Sequence, residues 1–61
     1  MAFDPANWAT FTTGAQVSRN GANYTCANAN CANAHTGNPS CYPGASGCPW
    51  GTVWNSNGAC Q

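Results

Sequence analysis

The stretch GAQVSRNGANYTC, Gly14 to Cys26, decides the fold. Asn20 and Gly21 stand between two short runs that carry β-branched or aromatic residues, and both tolerate the positive φ of a type I′ turn. A two-residue β-hairpin is predicted. Alternation along it places Val17 and Arg19 on one face of the first strand, and Tyr24 and Cys26 on one face of the second.

Beyond Cys26 the periodicity disappears. Asn, Ala, Gly and Pro dominate through TGNPSCYPGASGCP, where Asn-Pro, Pro-Gly and Ser-Gly pairs make turns. CANANCANAH is an imperfect five-residue repeat, too short for a solenoid, and reads as loop. A last run, WGTVW, has the makings of a strand, after which NSNG turns the chain toward Cys60; no helix is required.

A chain of 61 residues makes one small domain, spanning 1–61, with too little core to hold itself without covalent help. Leu, Ile, Lys and Glu are absent, so any core is built from Phe3, Phe11, Trp8, Trp50, Trp54, Tyr24 and Tyr42 together with Ala, Val and cysteine. Five cysteines at this density are the composition of a secreted disulfide scaffold, because thiols in reducing compartments do not form lasting bridges. Four cysteines drawn from five allow fifteen pairings, which the sequence does not distinguish. Short loops close at least entropic cost, which favours Cys26 with Cys31 and Cys41 with Cys48 and leaves Cys60 unpaired or linked outside the chain. The expected fold is therefore a small all-β, disulfide-stapled domain: a twisted antiparallel sheet of about three short strands with long loops.

The formal charges are Arg19 and Asp4. Phosphate backbones and anionic lipids are held mainly by clustered Lys and Arg, so neither nucleic acid nor membrane is an expected partner. No apolar run approaches the roughly 20 residues that cross a bilayer, and MAFDP has no basic region leading into an apolar one. One Asp, one His and no Glu do not assemble a carboxylate pair or a nucleophile with its base, so an enzyme is not expected. Cys26, Cys31, His35 and Cys41 superficially suggest a zinc knuckle, but the opening two-residue Cys spacing and the basic residues are missing; no metal or other cofactor is expected. Asn23-Tyr24-Thr25 is a glycosylation acceptor sequence in hosts that use one.

The hairpin belongs to a longer spacing, Phe11-x-x-Gly14-x-x-Val17-x-x-Asn20-Gly21-x-x-Tyr24-x-Cys26. This resembles the carbohydrate-binding modules of families five and twelve, the chitin- and cellulose-binding domains attached to secreted glycanases. Tyr42-Pro43-Gly44 is similar to a Tyr-x-Pro-Gly turn of cysteine-containing members, and WGTVWNSNGAC to their closing Trp-x-x-x-Trp-x-x-x-Gly-x-Cys. Together these motifs cover roughly residues 8 to 60. The aromatic pair that follows the family's Tyr-x-Ala strand is replaced here by Asn28, Ala29 and Asn30.

The resemblance implies a secreted, non-catalytic module that adsorbs to an insoluble, neutral β-linked polysaccharide, chitin or cellulose, and is tethered to a glycanase or another secreted domain. Such a ligand is met by exposed aromatic rings whose flat faces cover sugar C–H groups, with uncharged hydrogen-bonding groups at their edges. The candidate contacts are Trp50 and Tyr42, each beside a turn or strand edge, followed by Trp8. Trp54, Tyr24 and Phe11 read as core. If WGTVW is a regular strand, Trp50 and Trp54 share a face. The alternative class is a secreted, disulfide-rich structural subunit that self-assembles into fibres or matrix through Cys60 or its exposed aromatics.

Overall fold

A computed structural model describes residues 2–59. Its sheet has three antiparallel strands in the order β1 (Gln16–Arg19), β2 (Ala22–Cys26) and β3 (Trp54–Ala59). The hairpin forms as expected: Arg19 pairs with Ala22, and the intervening Asn20 and Gly21 take φ of 53° and 81°. Asn supports that conformation with its short polar side chain and Gly does so without a Cβ clash, which is why this dipeptide turns the chain in two residues. Below the strands proper, Cys26 N–H donates to the Ala15 carbonyl and Gly14 N–H to the Cys26 carbonyl, extending the ladder.

The third strand differs from the expected one. It covers Trp54–Ala59 and so includes the NSNG read as a turn, whereas Trp50 to Val53 lie outside it. Gly51 N–H donates to the Cys48 carbonyl across Pro49 and Trp50, so the chain is still turning there. Asn and Ser are poor strand formers, but strand preference yields to pairing context: Asn55 pairs with Thr25 and Ser56 with Tyr24, and the Asn57 side-chain amide donates to the Thr25 hydroxyl. A bulge lies opposite the Ala22 to Tyr24 step, where Asn57 and Gly58 together face Asn23. Trp50 therefore shares no strand with Trp54.

Three short 3-10 segments occupy what the sequence suggests is loop: Pro5–Thr10, Ala29–Asn33 and Pro39–Cys41. Each start has a local cause. Asp4 accepts from the Ala6 N–H and Pro5 stands in the first turn; Asn28 accepts from the Asn30 N–H; Pro39 opens the third. The bridges are Cys26–Cys31 and Cys41–Cys48, with Cα separations of 5.9 and 4.7 Å. The expected fate of Cys60 lies outside the described residues.

One face of the sheet carries the core. Val17, Cys26 and Trp54 lie on it and meet Phe11, Cys31, Ala34, Cys41 and Val53, all buried. The aromatic character read from composition is realised as a ring cluster: Phe3 stacks on Phe11 at 5.5 Å, Trp54 meets Phe11 edge-on at 5.3 Å, and Tyr42 tilts against Phe3 at 5.0 Å. Phe3 reaches this cluster because its N–H donates to the Ser18 carbonyl, laying the N-terminal residues beside the free edge of β1. Among the described residues, no helix is long and apolar enough to cross a membrane.

The hairpin also grips the Tyr42-Pro43-Gly44 turn. Arg19 donates to the Pro43 carbonyl at 2.9 Å and lies over the Tyr42 ring, 5.4 Å from its centre. Gly44 has φ of 81°, and a Cβ there would stand 2.6 Å from the Tyr24 hydroxyl. Gly21 has the same φ but open space around it. Gly44→Ala is accordingly expected to destabilise the protein by about 2–4 kcal/mol against about 1–2 kcal/mol for Gly21→Ala, the difference being the clash with Tyr24. Urea denaturation of the two variants side by side checks this; equal losses would mean that the turn yields without cost.

Candidate functional site

Among the described residues, two large apolar side chains remain well exposed, Trp8 at 47% and Trp50 at 44%. Trp8 lies in the first 3-10 segment, whose Asp4 cap and Pro5 set its entry, and Phe11 N–H donates to the Trp8 carbonyl as that segment ends. The buried Phe11 immediately after the segment anchors it to the core. Trp50 sits in the turn that follows Cys48, a residue tied to the buried Cys41 by its bridge.

Trp8 does not stand alone. The first and second 3-10 segments pack together, and between them lies an open groove of about 530 Å³. Pro5, Ala6 and Ala32 give it small apolar surfaces, and Trp8 and His35 add their rings. Asn33 and Thr36 supply hydrogen-bonding groups, and none of the lining side chains is an acid, a lysine or an arginine.

The His35 ring lies 6.2 Å from that of Trp8, centre to centre, at 67°. Both of its nitrogens are engaged: Nδ1 accepts from the Gly37 N–H at 3.0 Å, and Nε2 lies 3.2 Å from the Asn38 side-chain amide. Gly37 is close by necessity, since a Cβ there would come within 2.9 Å of His35 Cε1. The zinc-knuckle pattern has no thiolate to offer from Cys26, Cys31 or Cys41, all of which are bridged.

Tyr42 is placed differently from the two tryptophans. It is half-buried, tilted against Phe3 and overlaid by Arg19, so part of its ring is already committed to the core. Its remaining surface borders a second cavity of about 260 Å³, which Ser40, Gly47, Thr52 and Trp54 also line. Trp54 is buried, and its indole Nε1 has no hydrogen-bond partner among the described residues.

The sequence candidates Trp50, Tyr42 and Trp8 thus occupy three separate settings: a turn, a core margin and a groove. Among the described residues, neither Trp50 nor Tyr42 makes a ring contact with Trp8. His35, Asn33 and Thr36 join Trp8 only because two segments distant in sequence pack together, and no spacing in the sequence signals it. No protein-family model, curated protein or solved structure matches this chain.

Proposed function

We propose that the protein is a non-catalytic module that adsorbs to an insoluble, neutral β-linked polysaccharide, chitin or cellulose, and holds an attached secreted domain at that surface. The observation that carries this reading is the exposure of Trp8 and Trp50 in a chain whose other aromatic rings join or flank the core. A surface so poor in charge suits a ligand without charge. The two disulfides suit an oxidising, extracellular setting.

Covering half of one ring with a sugar face removes about 100 Å² from water, or roughly 2.5 kcal/mol. Two rings give about 5 kcal/mol before the cost of association, so a single module binds weakly and works by repeated contact with a solid. In pull-downs on chitin and cellulose, Trp8→Ala and Trp50→Ala are each expected to weaken adsorption by about 1 kcal/mol or more, a factor of about five. A wild-type protein that ignores both solids refutes the reading. Concentration-dependent polymers in size-exclusion chromatography without any sugar would instead favour the self-assembling subunit.

A further inference from the structure

We propose that the groove between the first two 3-10 segments takes a single pyranose unit of a neutral polysaccharide against Trp8, and that His35 is the positioning residue that sets the Trp8 ring. This rests on the polysaccharide-binding reading and names its principal subsite.

The groove has the composition that a sugar unit needs. A pyranose presents a flat C–H face and a rim of hydroxyl groups; the Trp8 ring meets the face, and Asn33 and Thr36 meet the rim. Small side chains at Pro5, Ala6 and Ala32 leave room beside the ring. At about 530 Å³ the groove lies within the range of small-molecule sites, and being open it lets a polymer enter and leave. The lining has no lysine, arginine or acid, so it holds no cluster of formal charge such as binds phosphate or a metal ion. Trp50, by contrast, stands on a turn and lines neither cavity.

The role of His35 follows from the commitment of its nitrogens. A ring held by Gly37 N–H on one side and the Asn38 amide on the other has a fixed plane and no free donor or acceptor for a sugar hydroxyl. What it offers the groove is a rigid ring set edge-to-face with Trp8. An exposed tryptophan would otherwise sample several rotamers, and fixing it beforehand reduces the entropy lost on binding.

The test is a double-mutant cycle on the intact, oxidised chain with two soluble probes, chitohexaose and cellohexaose, followed by 15N NMR of the indole signals. His35→Asn keeps a side-chain oxygen able to accept the Gly37 N–H, as in an Asx turn, while removing the ring. His35→Asn is expected to weaken binding of the preferred probe at least threefold with an unchanged urea midpoint, and to shift the Trp8 indole signal in the free protein. On a Trp8→Ala background, which itself loses fivefold or more, His35→Asn is expected to cost nothing further. Equal losses from His35→Asn on both backgrounds, or none on either, overturn the positioning role. Binding that Trp50→Ala weakens and Trp8→Ala leaves unchanged overturns the groove while the polysaccharide reading stands. A wild-type chain that binds neither probe and neither solid takes both down.

Discussion

Replacing Phe11 with alanine is expected to bring the chain close to unfolding in water. Phe11 is 1% exposed and touches two rings, stacking on Phe3 and receiving the edge of Trp54. Removing a buried phenyl group costs about 3–5 kcal/mol in lost transfer energy and unfilled space. A chain of this length has a total stability of about 3–9 kcal/mol at about 0.05–0.15 kcal/mol per residue, so the deletion takes about a third of it at the least and all of it at the lower end of that range. The loss also propagates, because Phe11 terminates the 3-10 segment that carries Trp8. Near-ultraviolet circular dichroism, which reports fixed aromatic packing, is expected to collapse in Phe11→Ala. Retention of the wild-type spectrum with an unchanged urea midpoint would show that the ring cluster is not the core.

Reducing the two bridges is expected to have an effect of similar size. In the chain-entropy model each short loop contributes about 2 kcal/mol, so opening both removes about 4–5 kcal/mol from a domain with little else to spare. The consequences are also local. The Cys26–Cys31 bridge joins the end of β2 to the second 3-10 segment, which supplies Ala32 and Asn33 to the groove. The Cys41–Cys48 bridge anchors the turn that presents Trp50. Paired Cys→Ala substitutions are therefore expected to disturb the two tryptophans separately, and reduction to disturb both. Urea denaturation with and without reductant measures the stability, and the separate indole signals in 15N NMR show which ring has moved. A reduced protein with the oxidised midpoint would contradict the assignment of the bridges as main supports.

Much of this fold was legible in the sequence, because its strongest determinants are local. Asn20-Gly21 announces one turn conformation and therefore one register, and Val17 opposite Tyr24 follows from it. The bridges were legible because closing the shortest loops is the cheapest pairing, and the aromatic core because the composition offers hardly any other large apolar side chain. The third strand was not, since Asn55, Ser56 and Asn57 extend only through their pairing with β2, a contact between distant segments. The 3-10 segments escaped for a related reason: one-turn structures capped by Asp4 and Asn28 carry no periodicity. Of the candidate site, the exposure of Trp8 and Trp50 was within reach of the sequence, whereas His35 enters it only as part of a rejected zinc-knuckle pattern. Its meaning comes from its ring contact with Trp8, and that proximity is tertiary.

The placement of Arg19 bears on how the protein responds to dissolved electrolyte. Its guanidinium is directed to a carbonyl oxygen and to the face of Tyr42, neither of them a formal charge. Mobile ions weaken attractions between exposed formal charges over a Debye length of about 8–10 Å and act far less on a hydrogen bond or a ring contact. The hairpin and the turn it grips are thus joined by contacts that brine leaves largely alone, as would be any contact between an indole ring and a sugar. A fold joined in this way is fitted to media of very different ionic strength without any change in its sequence.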